Sequence, residues 1–369
     1  MSDPDRPLDH GALAAEIERG ASLPASWYTD AAVVARERDR IFRRTWQYVG
    51  RGEQVALVGD YFTAAVADVP IVVVRNEDGL RGFVNVCRHR RHEVVSGSGN
   101  RKVLQCPYHA WTYGLDGCLR AAPRSDHEPG FDRASLPLLP VSVDTWGPFV
   151  FANLEAGIPL SRVLGELPAI IGRSGLRLDD LRFSGREEWT AGANWKVMIE
   201  NFLECYHCPV QHPGFSAVVD VAEESYGLHA HEWFSSQVAP VRASALEGRG
   251  RKAAYDVHGA VTQAQYHYLW PSLTISINPG HPNLSLDVWM PDGPDRTRGF
   301  SEHYFGPDVP EHARRDIIEF NRQVGREDDA LTDSVQRGLR AGLPARGRLL
   351  TASEHLVIHF QKLVLSALG

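Results

Sequence analysis

Two short cysteine–histidine pairs constrain this chain more than any other feature. Cys87-Arg88-His89 is followed, after a gap of sixteen residues, by Cys106-Pro107-Tyr108-His109. Two such pairs on two loops can place four ligands around one metal centre, thiolates selecting soft or borderline metals and imidazoles completing the set. Zinc is one option, but its usual fingers open with Cys-x2-Cys and close with a histidine pair. Here each pair holds one residue of each type. The remaining cysteines are Cys118, Cys205 and Cys208, and an odd total of five in 369 residues does not read as a disulfide framework. Few cysteines with histidines beside them read instead as metal ligation in a reducing compartment. Cys118 falls outside the pattern and reads as a small buried hydrophobe.

Two thiolates on one iron and two imidazoles on the other is the arrangement of a Rieske [2Fe–2S] centre, whose histidines raise its potential above that of all-cysteine clusters. Both pairs sit between strand-like runs beside glycine turns. The segments 71–75, 80–86 and 148–154 are β-rich, with turns at Gly97–Asn100 and Gly114–Gly117. They describe a mostly antiparallel β domain ending near residue 160. Residues 11–44 carry apolar residues at helical spacing and read as short helices. Beyond 161 helices and strands mix: 194–208, 310–340 and 354–369 read as helices, and 266–306 as two or three strands. Strands followed by helices in one region argue for an α+β fold, not a doubly wound sheet. No glycine-rich phosphate loop follows a strand, so no nucleotide domain is expected.

Charge excludes another class. Lys and Arg number 39 against 46 Asp and Glu, a net charge of −7 without a basic stripe, so no nucleic-acid partner is expected. No apolar run approaches ~18 residues, and the N-terminal twenty residues are too charged for a signal peptide. The expectation is a cytoplasmic protein with no membrane attachment.

A second constellation lies in 194–213, NWKVMIENFLECYHCPVQHP. On a helix over 194–208, Glu200, Glu204 and His207 share one face. Charges on a face that also buries Trp195, Ile199 and Phe202 call for pairing or a metal. His212 follows five residues after His207, with Pro209 and Pro213 to bend the chain. Two histidines plus a distant carboxylate form the facial triad of mononuclear non-haem iron(II), which leaves positions open for dioxygen and substrate. Cys205 and Cys208 with these histidines imitate a zinc knuckle, yet on a helix the two cysteines meet each other while His207 points elsewhere.

The stretch Cys106-Pro107-Tyr108-His109-Ala110-Trp111-Thr112-Tyr113, followed by Leu115-Asp116-Gly117, resembles the second Rieske loop of the aromatic-ring-hydroxylating oxygenase α subunits. The first loop departs from the usual Cys-x-His-Arg-Gly, since Arg90 is followed by Arg91. Asn194-Trp195-Lys196, Glu200-Asn201, Glu204, Tyr206-His207 and His212-Pro213 resemble the same family's mononuclear iron motif. The resemblance implies a Rieske cluster on Cys87, His89, Cys106 and His109. It implies a mononuclear Fe(II) on His207 and His212, with Glu204 and Asn201 in the catalytic set. Glu204 would stand between His207 and His109 of the partner subunit. For the third iron ligand, the family's aspartate seven residues before a glutamine, here Gln336, selects Asp329. Helical periodicity, with Val324, Asp328, Leu331 and Val335 on one face, turns Asp328 inward instead. We take Asp329 as the ligand and Asp328 as its alternative.

By this resemblance the chain divides into an N-terminal helical segment packing on the catalytic domain (1–44), a Rieske domain (45–160) and a helix-grip catalytic domain (161–369). The implied assembly is a homotrimer or a multiple of it, consistent with a head-to-tail ring. The implied activity uses O2 and electrons from a separate NAD(P)H-dependent flavin reductase and/or ferredoxin. In form the catalytic motif is most similar to the choline, glycine betaine and carnitine oxygenases. This points to monooxygenation or N-demethylation of a small quaternary amine, with Tyr266, Tyr268, Trp270 and Trp289 available for cation–π contact. An aromatic-ring dihydroxylating dioxygenase is the alternative, and a Rieske electron carrier without catalysis a further one.

Overall fold

The computed structural model describes residues 10–155, 157–249 and 253–369. The chain forms two compact units: residues through Glu37 together with Val163–Gly369, and Arg38–Arg162. The divisions expected at 45 and 160 thus fall at Arg38 and Arg162, and residues 38–44 go with the β unit. Residues 1–9 of the N-terminal segment lie outside the described residues.

The Arg38–Arg162 unit is built on a seven-stranded antiparallel sheet. Its strand order is Gln47–Arg51, Phe149–Asn153, Pro140–Trp146, Gly79–Val84, Val69–Asn76, Asp60–Val66, Ser98–Asn100. Ile71-Val72-Val73-Val74 is β-branched and fully buried, as suits a strand covered on both faces. Successive side chains point to opposite faces. Ile71 and Val73 therefore enter one core with Phe62, while Val72 and Val74 enter another with Tyr61, Cys87 and Cys106. A small sheet of Leu104–Gln105, Thr112–Tyr113 and Leu119–Ala121 carries the second cysteine loop. The turn read at Gly97–Asn100 is only partly a turn. Gly97 bends at φ +68°, and Ser98–Asn100 then pairs with Asp60–Phe62.

The larger unit is built on a second seven-stranded antiparallel sheet. Its strand order is Arg182–Ala191, Thr297–Phe305, Asn283–Pro291, Leu273–Ile277, Gln263–Leu269, Phe234–Pro240, Gly227–Ala230. Residues 266–306 thus hold parts of four strands where two or three were expected. The long helix Glu311–Ala341 covers one face, packing Ala313, Ile317 and Phe320 against Phe215, Tyr266 and Phe305. The N-terminal helices His10–Glu18 and Ala31–Glu37 belong to this unit. Glu37, fully buried, accepts from Lys196 Nζ at 2.6 Å and from Trp195 Nε1 at 2.8 Å.

The helix expected over 194–208 is shorter. It runs Trp195–Phe202, capped by the Asn194 side chain, which accepts from the Lys196 N–H at 3.0 Å. After Leu203 the Glu204 carboxylate takes the backbone N–H groups of Tyr206 and His207, an alternative to continued helical bonding. A second short helix, Cys208–Gln211, follows with Pro209 in its first turn. The shared face of Glu200, Glu204 and His207 therefore does not form. Glu200 turns away to Tyr28 and Gln361, at 2.6 and 2.9 Å.

Candidate functional site

The two cysteine loops are built alike. In the first, the Cys87 N–H donates to His92 O, and the Arg91 N–H returns to Cys87 O at 3.1 Å. In the second, the Cys106 N–H donates to Trp111 O, and the Ala110 N–H returns to Cys106 O at 3.0 Å. Both returning residues adopt the left-handed region, Arg91 at φ +62° and Ala110 at φ +57°. The position where the family usually has glycine is thus occupied by Arg91 in the conformation that glycine favours. Each loop aims a buried cysteine inward and leaves its histidine exposed. Burial and the neighbouring Cys87 thiol push the Cys106 thiol up. The rings of His89 and His109 lie 4.7 Å apart, His89 stacks on Trp111 at 5.0 Å, and Tyr113 Oη stands 3.4 Å from Cys87 Sγ. Two inward sulfurs beneath two adjacent exposed imidazoles match the ligand demand of a Rieske cluster. Cys118, read as buried, is exposed.

In the larger unit, His207 Nε2 and His212 Nε2 face each other at 3.1 Å. Asp328 Oδ1 lies 3.0 Å from His212 Nε2 and 3.5 Å from His207 Nε2. These three ligand atoms lie within 4.8 Å of one another. The opposite ring nitrogens are held by carboxylates: His207 Nδ1 donates to Glu204 Oε1 at 2.5 Å, and His212 Nδ1 to Glu327 Oε2 at 2.7 Å. Donation from Nδ1 leaves both Nε2 lone pairs aimed at one point, which is how metal-binding imidazoles are oriented. Burial opposes a charge on His207, yet Asp328 and Glu204 outweigh it and push the group up to about 9. His212 is likewise raised against its burial by Asp328 and Glu327. Two imidazoles and one carboxylate converging on a single point form a donor set that a divalent cation there would fit.

The third position corrects the sequence reading. Burial would raise Asp328, but His207 and His212 hold it below the usual carboxylate range. Asp329 is raised by burial and by Asp333 and Asp328. It lines the same cavity, but the carboxylate in the cluster is that of Asp328, as the helical periodicity indicated. Asn201 Nδ2 donates to Asp328 Oδ1 at 3.1 Å, so Asn201 steadies this carboxylate. Cys205 and Cys208 form a disulfide with Cα atoms 4.9 Å apart. This corrects the expectation of no disulfide, and it takes both sulfurs away from any knuckle with the histidines. The turn after Phe202 brings the two cysteines within bridging distance.

The histidines and Asp328 border a cavity of about 370 Å³ between the long helix and the sheet, a size that suits a small ligand. Strand register sets its floor. Asp287 pairs with Ser301, which pairs with Glu187; Trp289 pairs with Gly299, which pairs with Trp189. Trp189 and Trp289 stand with ring centroids 4.6 Å apart. A Cβ on Gly299 would come within 2.2 Å of Trp189 Cη2, so glycine is what lets the ring lie there. Trp189 Nε1 donates to Ser301 Oγ at 3.1 Å, and Ser301 Oγ donates to Asp287. Burial pushes Asp287 up to about 6. Of the aromatics singled out in the sequence, Tyr266 and Trp289 line the cavity; Tyr268 and Trp270 are buried and lie outside its lining. Trp189 was missed, although its place in the alternation of Arg182–Ala191 carries the signal.

Residues 178–369 match the family described as the ring hydroxylating alpha subunit (catalytic domain), and residues 45–140 match the Rieske [2Fe-2S] domain. The chain is 34% identical over 356 residues to the carnitine monooxygenase oxygenase subunit of Acinetobacter pittii (strain PHEA-2), covering 93% of this chain and 94% of that one. It is 32% identical over 349 residues to the chloroplastic choline monooxygenase of Arabidopsis thaliana, covering 90% and 79%. A solved quaternary ammonium Rieske monooxygenase in complex with its substrate γ-butyrobetaine superposes with a TM-score of 0.82 at 30% identity, covering 99% of this chain and all of the other.

Proposed function

The chain belongs to the Rieske ring-hydroxylating oxygenases as an α (oxygenase) subunit, and on that premise we propose that it monooxygenates a small quaternary ammonium compound. Its cofactors are a Rieske [2Fe–2S] cluster and a mononuclear iron. Cys87, His89, Cys106 and His109 would hold the first, and His207, His212 and Asp328 the second. When bound, the two groups supply stored electrons and dioxygen activation.

The carrying observation is the wall beside the His207–His212–Asp328 cluster. A quaternary ammonium offers no hydrogen to donate, so aromatic faces and carboxylates must recognise it. Trp189 and Trp289 provide the faces, and Asp287 the negative charge. Glu204 fixes the orientation of His207 through Nδ1. Because His109 is exposed on its own unit, a head-to-tail trimer could set Glu204 against His109 of the partner subunit. Such an arrangement would link the two kinds of centre by hydrogen bonds.

Electrons would come from a separate NAD(P)H-dependent flavin reductase or ferredoxin, consistent with the lack of a glycine-rich nucleotide loop in the sequence. None of the described helices is long and apolar enough to cross a membrane. The test is oxygen uptake by the reconstituted protein with a reductase and γ-butyrobetaine or choline. Uptake coupled to loss of either compound supports the reading. Uptake only with an aromatic hydrocarbon favours the ring-dihydroxylating alternative.

A further inference from the structure

At the cavity wall near the tryptophan pair, one arginine sits in a partnership that the structure leaves incomplete. Arg322, on the long helix and half exposed, grips Glu187 in bidentate fashion, its Nε 3.0 Å from Oε2 and its second nitrogen on Oε1. Glu319 stands 3.6 Å away on its outer side. On the inner side of Glu187 lies His303, only 4% exposed, with Nε2 buried and without a hydrogen-bond partner. Nε2 is 4.0 Å from Glu187 Oε1, just outside bonding distance.

A relay of side chains leads to the other ring nitrogen of His303, Nδ1. Tyr266 Oη donates to Asn278 Oδ1 at 3.1 Å, Asn278 Nδ2 donates to Asn321 Oδ1 at 2.9 Å, and Asn321 Nδ2 donates to Ser285 Oγ at 3.0 Å. Ser285 Oγ in turn stands 2.8 Å from His303 Nδ1. With the serine hydroxyl donating to Nδ1, the hydrogen of His303 stands on Nε2, facing Glu187. Burial, more than its charged neighbours, holds the His303 imidazole neutral.

We propose that Arg322, Glu187 and His303 form an exchange site for a substrate carboxylate: the carboxylate takes the Arg322 guanidinium, and Glu187 swings onto the waiting Nε2–H of His303. The unliganded arrangement leaves a buried donor unpaired, an unfavourable state, and the exchange removes it. With the tryptophan pair and Asp287 receiving the cationic end, the cavity selects a zwitterion, a quaternary ammonium that also carries a carboxylate. This rests on the quaternary ammonium reading above and narrows it. Arg322 is the binding residue, and His303, acting through Glu187, is a positioning residue.

The test is isothermal titration of the protein carrying both metal centres with γ-butyrobetaine and with butyltrimethylammonium, which has a methyl group in place of the carboxylate. Arg322→Gln should weaken γ-butyrobetaine binding by about tenfold or more, as for a lost hydrogen bond to a charged group. Binding of butyltrimethylammonium should stay within about twofold. His303→Leu should weaken γ-butyrobetaine selectively as well, and His303→Gln, which keeps an N–H at the Nε2 position, should recover most of the loss. Equal loss for both compounds, or no loss for γ-butyrobetaine, overturns the exchange site and leaves the quaternary ammonium reading standing. Failure of the unaltered protein to bind either compound overturns both.

Discussion

Arg91 occupies a left-handed backbone position that costs an ordinary residue about 1 kcal/mol or more. Its side chain is exposed, so nothing buried depends on it. Arg91→Gly should therefore stabilise the β unit by roughly 0.5 kcal/mol, the relief of strain exceeding the added freedom of the unfolded chain. Denaturant titration checks this, and a loss of stability would mean that the arginine side chain anchors the loop. The second residue-scale prediction separates two neighbouring carboxylates. Asp328→Ala should lose the mononuclear iron, whereas Asp329→Ala should keep it, as read by metal analysis. At this scale much of the site was legible, because ligand chemistry is written in residue type. Choosing between Asp328 and Asp329 was harder, since one residue turns a helix by 100°. The periodicity of the buried face pointed to Asp328, and the spacing carried over by resemblance pointed one residue too far.

At the scale of elements, the decisive segment is Trp195–His212. Its helix ends at Phe202 because the Glu204 side chain satisfies the next backbone N–H groups, an interaction that no periodicity encodes. Glu200, left inside, joins the N-terminal segment to the terminal helix His355–Leu368 through Tyr28 and Gln361. Burial pushes its carboxyl up to about 7, against hydrogen bonds from Tyr28 and Gln361 that oppose the shift. The folded protein then keeps a proton that the unfolded chain releases near pH 4.5. Stability falls as pH rises from about 4.5 to 7 and levels off above, by up to ~3 kcal/mol. Glu200→Gln should flatten that window in urea titrations at pH 5 and pH 8; an unchanged slope would show that Glu200 is ionised in the fold. The two sheets were legible as β-rich runs, but their strand order was not. Register depends on pairings between segments as distant as Arg182–Ala191 and Thr297–Phe305, which local sequence does not specify.

At the scale of the whole molecule, the two units each carry one candidate metal centre, and Glu204 is the residue proposed to serve both. Glu204→Gln should leave the Rieske signal and the iron content intact yet slow oxygen uptake by about 10- to 100-fold, the usual penalty for losing a carboxylate behind a metal-bound histidine. Unchanged turnover would remove Glu204 from the account. The change in texture near Trp46 and the expected end near residue 160 compare with the division of the structure at Arg38 and Arg162. The central claim is that one chain holds a two-histidine, two-cysteine cluster and a separate mononuclear iron. Electron paramagnetic resonance of the reduced protein, paired with iron and sulfide analysis, tests it most directly. A Rieske-type signal is expected, with about three irons and two sulfides per chain. His109→Ala should abolish the signal, and Asp328→Ala should spare it while removing one iron. A colourless zinc protein without that signal, or an Asp328→Ala variant that keeps its third iron, would contradict the account.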